Sequence, residues 1–226
     1  MVAGGTGRRF GGRKQFLPLA GCPVASWSVR AARSVADGVV LVVPAPGASG
    51  ADEEDVGSPA PVPGSNGEDA LGANCVVSGG ATRAESVRAG LAAVPSDADV
   101  IVVHDAARPL ASPELFAAVV EAVRAGDVDG AIPVVPVVDT LKRIVGGRVV
   151  GSVDRDGLLA VQTPQAFAAG ALRAAHADMG EATDDAGMLE AAGLTVTAVE
   201  GDPRNFKLTR PEDLVLAEAL LTKARL

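Results

Sequence analysis

The chain has 226 residues, a length that suits one large α/β domain with a sizeable hydrophobic core. Because 48% of the residues are hydrophobic and 3% are aromatic, that core must be built mainly from alanine, valine and leucine. The formal net charge of −8 argues against a general nucleic-acid-binding protein. No apolar run is long enough to span a membrane and no secretory signal pattern is present, so we expect a cytoplasmic enzyme. Cys22 and Cys75 are isolated thiols, which we expect to be buried small hydrophobes rather than a disulfide or a metal pair.

The first candidate for function is a glycine-rich, cationic stretch over residues 3–15. It contains five glycines and four cations, namely Arg8, Arg9, Arg13 and Lys14. Glycine lets backbone N–H groups approach a ligand closely, and the cations supply charge, so the stretch predicts a polyphosphate site. It is not a Walker A loop, because no Gly-Lys-Ser/Thr triplet follows at the required spacing. On composition alone, a solvated basic terminus is equally compatible with these residues.

Only residues 1–3 precede this loop, although a phosphate-binding loop of this kind should follow a first strand. Either that strand is very short or the chain begins inside the natural protein, and the second is our expectation. The following elements alternate helix and strand. Trp27, Ala31 and Val35 share one face of a predicted helix that Gly38 ends. Residues 39–43 form a β-branched run typical of a parallel strand that is buried on both faces. The run leads into a proline rather than the acidic residue that would hold a ribose, which disfavours a dinucleotide-binding fold.

Residues 44–74 form an acidic excursion between two predicted strands. They contain six acidic residues and no lysine or arginine, so they carry −6 and leave −2 for the rest of the chain. Their richness in Pro, Gly, Ser and Ala predicts a flexible surface loop. We expect this loop to be inert rather than regulatory.

Two strand–helix units follow the acidic loop. A short predicted strand at 75–77 leads to a Gly-Gly pair, and Thr82 and Glu85 then have the spacing of a capping box. The clearest buried strand of the chain is 100–103. Ser112 and Pro113 have the N-cap and N1 positions of the next helix, and a further strand is predicted at 131–135.

The alternation breaks at residues 139–155. Two β-rich segments, 141–145 and 148–153, flank Gly146-Gly147, and this pattern predicts a β-hairpin. The apolar residues on both segments have no evident place in the main sheet, and an isolated hairpin is at best marginally stable in water. We therefore expect a two-fold homodimer in which each hairpin arm packs on its partner.

The remaining elements complete an α/β pattern. Strands are predicted at 158–161 and 195–199, with a helix near 168–178 between them. Thr209 and Glu212 have the spacing of a second capping box at the start of the last helix. The whole chain predicts a single domain with an open, mostly parallel Rossmann-like sheet, helices on both faces and residues 139–155 as an inserted arm.

Functional groups in such sheets lie beyond the carboxyl ends of the strands. Five polar clusters fall at such positions: 4–15, 78–80, 104–109, 163–165 and 205–207. Seven segments that include most of these clusters closely resemble, in the right order, the 2-C-methyl-D-erythritol 4-phosphate cytidylyltransferase family of nucleotidyltransferases. They are Gly-Thr-Gly-Arg-Arg (5–9), Lys-Gln-Phe (14–16), His-Asp-Ala-Ala-Arg-Pro (104–109), Asp-Thr-Leu-Lys-Arg (139–143), Val-Asp-Arg (153–155), Thr-Pro-Gln (163–165) and Lys-Leu-Thr-Arg-Pro-Glu-Asp (207–213).

The resemblance implies transfer of CMP from CTP to 2-C-methyl-D-erythritol 4-phosphate, with release of pyrophosphate, in non-mevalonate isoprenoid precursor synthesis. A phosphate monoester has a second pKa of about 6, so it is largely dianionic at neutral pH and needs no general base. The chain offers no Ser-His-Asp or Cys-His pattern that would argue for one. Because a dianion must attack another polyanion, cations and Mg²⁺ should supply the catalysis.

The same resemblance implies roles for individual residues. The catalytic residues would be the cations Arg9, Lys14 and Lys207, which stabilise the reacting phosphates. The CTP site would be lined by Ala3, Gly4, Gly5, Gly80 and Ser86. The acceptor site would contain Arg108, Thr140, Arg155 and Thr163, with Thr140 and Arg155 completing the site of the other subunit.

Asp105 is the acidic residue that this resemblance implies near Mg²⁺. Its contact would be indirect or weak, because we see no full protein metal cage and the ion should be held mainly by CTP phosphates and water. A turn-capping role for Asp105 is compatible with this one, and we expect His104 to be structural. Thr183-Asp184-Asp185 also matches a family segment, although helix capping explains it adequately.

Three other functions remain open at this point. The nearest is a cytidylyltransferase for another polyol phosphate, such as ribitol 5-phosphate. A sugar-phosphate nucleotidyltransferase that uses UTP or GTP is the second. The third is a non-catalytic nucleotide-binding regulatory protein, which the presence of three cations together with Asp105 disfavours, because binding alone would not require them all.

Overall fold

The computed structural model describes residues 1–4, 10, 13–45, 71–177 and 184–223. The strands of these residues are β1 (Pro18–Leu19), β2 (Cys22–Pro23), β3 (Val40–Val43), β4 (Cys75–Ser78), β5 (Val100–Val103), β6 (Gly130–Pro136), β7 (Leu141–Val145), β8 (Arg148–Val153), β9 (Leu159–Val161), β10 (Gln165–Ala168) and β11 (Val196–Glu200). The helices are α1 (Val24–Arg33), α2 (Arg83–Ala93), α3 (Pro113–Arg124), α4 (Ala169–Ala177), α5 (Asp185–Ala191) and α6 (Pro211–Lys223), with a short 3-10 helix at Lys14–Phe16. None of the helices in these ranges is long and apolar enough to cross a membrane.

The first three residues join two rows of strands into one sheet. Val2 N–H donates to the His104 carbonyl at 2.8 Å, and Ala3 N–H donates to the Val42 carbonyl at 2.8 Å. The segment therefore lies between β3 and β5, and the strand order is β4-β3-(1–3)-β5-β10-β6-β11. Within this row β10 runs antiparallel and its neighbours are parallel to one another. The predicted open, mostly parallel sheet is confirmed.

Helices cover both faces of this sheet. Side chains of α2, α4 and α5 pack on one face, where Phe167 of β10 is fully buried among them. On the other face, side chains of α1 and α3 pack against β3, and α3 also contacts Ala166. Ala166 and Phe167 thus point to opposite faces, as the two-residue period of a strand requires. Removal of a buried phenylalanine of this kind costs about 3–5 kcal/mol of stability.

Several local predictions are confirmed. The Thr82 hydroxyl accepts from Glu85 N–H at 3.1 Å, and the Glu85 carboxylate accepts from Thr82 N–H at 3.1 Å, which is the expected capping box of α2. Ser112 caps α3, and a proline occupies its first turn. Gly146 and Gly147 connect β7 and β8 with φ values of 53° and 77°, as a two-residue hairpin turn of type I′ requires.

The predicted end of α1 is wrong. The helix ends at Arg33, and Gly38 does not have the positive φ of a helix-terminating glycine. Instead, the Ser34 hydroxyl donates at 2.7 Å to the Ala31 carbonyl, which also accepts from Ser34 N–H at 3.3 Å. A side-chain donor close to the helix therefore ends it before the chain reaches the glycine.

The second predicted capping box is also wrong in its acidic residue. Asp213, and not Glu212, accepts hydrogen bonds at the start of α6, from Thr209 N–H at 2.6 Å and Arg210 N–H at 2.8 Å. Since α6 begins at Pro211, Asp213 has the N3 position, from which a carboxylate can reach back to the residues before the helix.

The structure differs from two further expectations, and a third concerns residues outside the described ranges. The strand β10 is absent from the predicted pattern, because Gln-Ala-Phe-Ala has no β-branched residue. Cys22 and Cys75 are both free thiols, but neither is buried as expected, because Cys22 is half-buried and Cys75 is exposed. Residues 46–70, most of the predicted acidic loop, lie outside the described ranges.

Candidate active site

The predicted polar clusters meet at one edge of the sheet. Residues 4, 78–80, 104–108 and 201–207 follow the carboxyl ends of parallel segments. Because β10 is antiparallel, its first residues lie at the same edge, and this places Thr163 beside β5. The strand that sequence analysis missed is therefore the one that brings the Thr-Pro-Gln segment to the others.

The glycine-rich loop is described at its two ends. Gln15 is buried, and its side-chain amide donates to the Ala3 carbonyl at 2.6 Å, so the exit of the loop is tied to its entry. Lys14 is half-buried at the start of the 3-10 helix, and its ammonium lies 5.8 Å from the centre of the Phe10 ring. Two residues predicted to bind here, Arg9 and Gly5, lie outside the described residues.

Two of the predicted CTP-site residues, Gly4 and Ser86, form a tight wall together with Gly79, which was not predicted. A methyl group added to Gly4 would lie 3.0 Å from the Ser86 hydroxyl, and one added to Gly79 would lie 2.6 Å from it. Ser86 is buried, and its hydroxyl donates to the Thr82 carbonyl at 2.9 Å. A side chain is therefore excluded at Gly79 and crowded at Gly4, so backbone groups form this surface.

At Gly80, a side chain is excluded by a different neighbour, Glu85. A methyl group there would lie 2.3 Å from Cβ of Glu85. Glu85 is held in place because its carboxylate accepts from the N–H groups of Ala81 at 2.6 Å and Thr82 at 3.1 Å. The glycine is thus required by the cap of α2, next to the predicted nucleotide site.

His104 is a structural residue in this geometry. The Arg108 carbonyl can only accept a hydrogen bond, so His104 Nε2 carries the hydrogen, and Nδ1 of the neutral ring accepts at 3.0 Å from the Thr163 hydroxyl, which itself accepts from Asp105 N–H at 3.0 Å. The imidazole is then a neutral Nε2–H tautomer that donates to the Arg108 carbonyl at 3.2 Å. Burial lowers the pKa of His104 to about 3, which agrees with a neutral ring.

Asp105 lies between two cations. One carboxylate oxygen is 2.7 Å from Lys207 Nζ, and the other is 3.5 Å from Arg83 Nε. Burial by itself would raise the pKa of Asp105, but the charges of Lys207 and Arg83 outweigh it and lower the pKa to about 2. The side chain of Lys207 is 41% exposed, so its ammonium can reach a phosphate that approaches from solvent.

Arg83 was not among the predicted site residues. Its Nη2 donates to Asp185 at 2.7 Å, and the other oxygen of Asp185 accepts from His176 Nε2 at 3.0 Å. The sequence did contain one sign of these contacts. The helix dipole disfavours a cation in the first turn of a helix, so an arginine at this position indicates a partner outside the helix.

Arg108 is oriented by a residue that the prediction left without a role. Its guanidinium donates to the carbonyls of Asn205 at 2.8 Å and Val161 at 3.4 Å. Asn205 is fully buried, and its amide donates to the Thr163 carbonyl at 2.9 Å. Burial lowers the pKa of Arg108. Asn205 therefore connects Arg108, the Thr163 turn and, two residues further on, Lys207.

Thr140 and Arg155 lie at the base of the hairpin arm. Both residues are exposed, and Arg155 donates to the carbonyls of Val138 and, at 3.4 Å, Val137. No hydrogen bond joins either residue to Asp105, Arg108 or Lys207 in the part of the chain that the structure describes. The structure thus assembles the first half of the predicted acceptor site, Arg108 and Thr163, without the second.

Asp184 has the capping role that the sequence suggested. Its carboxylate accepts from Gly187 N–H at 3.1 Å at the start of α5 and from the Gln165 amide at 2.9 Å. Thr183, the first residue of that segment, lies outside the described residues.

The donor set fits a metal ion that obtains most of its ligands from substrate. In the described ranges, no group of three or more His, Cys, Asp or Glu side chains is arranged to hold a metal. Asp105 supplies one carboxylate at the site, and its side chain is 14% exposed. Such a site suits Mg²⁺, which keeps waters and phosphate oxygens around it and uses one or two protein carboxylates.

A cavity of about 600 Å³ runs along the sheet from the amino ends of β3 and β5 to Val103 and His104. Its walls are largely aliphatic and include Val40, Val94 and Val100, and neither Lys14 nor Lys207 lines it. A phosphate-transfer site requires cations, so this cavity is not the candidate active site.

Comparison with known proteins identifies the family. The family model of 2-C-methyl-D-erythritol 4-phosphate cytidylyltransferase matches residues 1–223. The chain belongs to this family. It is 45% identical to the enzyme of that name from Nocardia farcinica, over 98% of this chain and 92% of that protein. The family and the class of enzyme implied by the sequence, a nucleotidyltransferase for isoprenoid synthesis, are confirmed.

Two further relatives define the extent of the match. The chain is 55% identical to a protein of the same name from Frankia casuarinae, over 66% of this chain and 56% of that protein. The crystal structure of the enzyme from Thermus thermophilus superposes with a TM-score of 0.75 at 38% identity, over 95% of this chain and 96% of that one. Bifunctional relatives, named IspD/IspF, also match, and the chain spans 52% to 56% of their length.

Proposed function

We propose that the chain transfers CMP from CTP to 2-C-methyl-D-erythritol 4-phosphate, giving 4-diphosphocytidyl-2-C-methyl-D-erythritol and pyrophosphate. The observation that carries the proposal is the convergence of the two described ends of the glycine-rich loop, the Gly79–Ser86 wall and the Asp105–Lys207 pair at one edge of the sheet. Family membership supports the same reaction and the same acceptor.

In this proposal the protein binds and orients two polyanions and does not move a proton. The acceptor phosphate attacks as a dianion, so no side chain has to act as a general base. Lys14 and Arg9 bind the triphosphate and stabilise the α-phosphate, where charge accumulates in the transition state. Lys207 leaves Asp105 to bind the reacting phosphate. The neutral His104 then only fixes the Thr163 hydroxyl and the Arg108 carbonyl.

The Mg²⁺ requirement remains part of the proposal. When bound, the ion would neutralise part of the negative charge of the reacting phosphates. Asp105 is the residue of this chain that would hold it, directly or through water. The CTP site would consist of Ala3, Gly4, Gly5, Gly80 and Ser86, and the acceptor site of Arg108, Thr163 and, from the arm, Thr140 and Arg155.

The exposed arm supports a homodimer. Ile144 is 54% exposed and Val149 is 64% exposed, and β7 and β8 form a two-stranded sheet of their own. A hairpin with exposed apolar side chains is stabilised when another surface buries them. A second copy of the chain, related by a two-fold axis, would bury them. Sedimentation velocity would show a dimer, and Ile144→Asp combined with Val149→Asp should shift it to a monomer. A dimer that tolerates both changes would rule out this interface.

The experiment that tests the reaction is a pyrophosphate-release assay. It crosses four nucleoside triphosphates with 2-C-methyl-D-erythritol 4-phosphate and ribitol 5-phosphate, with and without Mg²⁺. We expect turnover with CTP, Mg²⁺ and the first acceptor. Equal turnover with UTP, or activity on ribitol 5-phosphate alone, would contradict the assignment.

We also propose that the chain forms one domain and that its location is cytoplasmic.

A further inference from the structure

Arg83 lies between two carboxylates that come from distant parts of the chain. Its Nε is 3.5 Å from Asp105 at the end of β5, and its Nη2 is 2.7 Å from Asp185 at the start of α5. Different nitrogens of one planar guanidinium make the two contacts. A lysine has a single nitrogen and cannot reproduce this geometry.

Asp185 is a fixed partner for Arg83. Its side chain is 1% exposed, and its second oxygen accepts from His176, which is 2% exposed, at 3.0 Å. Burial by itself would raise the pKa of Asp185, but the hydrogen bond from His176 and the charge of Arg83 lower it. The carboxylate is therefore ionised at neutral pH, and both its oxygens are bound.

The stability of α2 does not explain an arginine at this position. Arg83 is the first residue of the helix, where the partial positive charge of the helix dipole disfavours a cation. The Thr82 and Glu85 capping box already satisfies the helix terminus. The position is favourable for an arginine because Asp105 and Asp185 lie on either side of it.

Asp105 needs a second cation if Lys207 takes part in the reaction. In the free protein its nearest partner is Lys207, at 2.7 Å, whereas the Arg83 contact is longer. When Lys207 moves to a phosphate, Asp105 loses its nearest partner within the chain, and an ion held mainly by phosphates and water would not by itself fix the orientation of the carboxylate. Arg83 can remain, because Asp185 holds it from the other side.

On the basis of the proposed function, we propose that Arg83 is a positioning residue that Asp185 fixes in place and that keeps the Asp105 carboxylate oriented while Lys207 binds the reacting phosphate. Arg83 itself does not touch the reacting atoms in this proposal. Its effect on the reaction passes through Asp105, and that route gives the proposal a specific test.

The first part of the test separates positioning from binding. We expect Arg83→Gln to lower kcat roughly 10- to 100-fold, the range found for residues that orient a ligand of a reactive centre. The KM for CTP should change by less than about threefold, because the contact matters mainly in the transition state. Arg83→Lys keeps the charge but spans only one carboxylate, so it should stay within about threefold of Arg83→Gln. Saturating CTP should raise the Tm of Arg83→Gln as much as that of the wild type.

A matched control addresses loss of structure. Arg173 donates to the carbonyls of Leu91 at 3.3 Å, Val94 at 3.2 Å and Pro95 at 2.9 Å, so it holds the other end of α2. Arg173→Gln should lower the Tm, as Arg83→Gln does, but leave kcat within about twofold of wild type. If both variants lost kcat equally, Arg83 would have only a structural role.

The second part of the test is a pair of double-mutant cycles. If Arg83 acts through Asp105, Arg83→Gln should have no further effect on kcat in an Asp105→Asn background. Likewise, Asp185→Asn should slow the wild type but not the Arg83→Gln variant. Losses that multiply in either cycle would overturn the positioning role. A wild-type protein that transfers no CMP would instead overturn the proposed function, and the positioning role with it.

Discussion

Two regions of the molecule contain predicted acceptor-site residues, and they differ in how complete they are. Around Asp105, the Thr163 hydroxyl both accepts and donates a hydrogen bond, and Arg108 donates to two carbonyls. On the hairpin arm, Thr140 and Arg155 are exposed beside apolar residues that are themselves more than half exposed. One chain therefore builds the first region, whereas the second is left exposed by the described residues.

This difference separates the contacts that a single chain makes from those for which a second subunit is proposed. The orientation of Asp105, Thr163 and Arg108 follows from hydrogen bonds within the chain. The proposed contribution of the arm would depend on assembly, because its side chains make no hydrogen bond to these residues in the described ranges. Matched substitutions in the two regions therefore distinguish effects that arise within one chain from effects that depend on assembly.

The largest expected effect is on turnover when a cation of the first region is removed. Lys14→Ala and Lys207→Ala should each lower kcat by about two to three orders of magnitude, because each removes positive charge where the transition state is most negative. Steady-state kinetics would measure this loss. The control is Lys142→Ala on the arm, whose ammonium donates to the Ser152 hydroxyl at 2.6 Å and which should stay within about twofold of wild type. A variant of Lys14 or Lys207 that only raised the KM for CTP would assign that lysine to ground-state binding.

The next prediction tests whether the arm serves the partner subunit. Lys14→Ala and Arg155→Ala should each be nearly inactive alone. In a mixed dimer one active site collects both changes and the other is intact. Random re-pairing of equal amounts should then restore roughly a quarter of wild-type activity, because half the dimers are mixed and half their sites are whole. If subunit exchange is verified and activity does not return, each active site is built from one chain.

A pH dependence of stability should come from the buried region and not from the arm. The pKa of His104 is about 3 in the folded protein and about 6.5 when unfolded, so the unfolded chain binds a proton first as the pH falls. Stability is therefore lost below pH 6.5, by about 2 kcal/mol between pH 7.5 and pH 5. Urea unfolding of wild type and His104→Gln would measure this term as the difference in their pH slopes. Equal slopes would show that His104 is not held neutral.

Glycine-to-alanine substitutions beside the site and on the arm should differ in their effect on stability. Gly80→Ala places a methyl group 2.3 Å from Glu85 Cβ, and overpacking of this kind costs about 1–3 kcal/mol. Gly151→Ala on β8 meets no atom within 4 Å and should change stability by less than about 0.5 kcal/mol. Chemical denaturation of both variants measures the contrast, and equal costs would contradict it.

The smallest expected effect concerns the acidic loop. Replacement of residues 48–70 by a short Gly/Ser linker should leave kcat and KM within about twofold of wild type, because the segment has no hydrophobic periodicity and belongs to neither region. Steady-state kinetics and circular dichroism would check this. A large loss of activity with folding intact would assign the loop a part in the site.

The sequence alone predicted those features that residues close in the chain decide. The capping box of α2 depends on two residues three apart, and the arm turn depends on two adjacent glycines that accept positive φ. The strands at 40–43 and 100–103 are continuous aliphatic runs in which every residue except Leu41 is β-branched. Where local signals competed, the prediction failed: a Ser34 hydroxyl ended α1 ahead of Gly38, and Asp213 rather than Glu212 capped α6.

Only the tertiary structure decided which charged residues meet. Arg83 and Asp185 are 102 positions apart, and so are Asp105 and Lys207, and no sequence period links residues at that distance. Their contacts exist because β10 runs antiparallel beside β5 and because α2 and α5 pack on the same face of the sheet. Motif order therefore identified the family and Asp105, whereas the ion pairs that orient Asp105 depend on packing across the sheet, which local propensity does not encode.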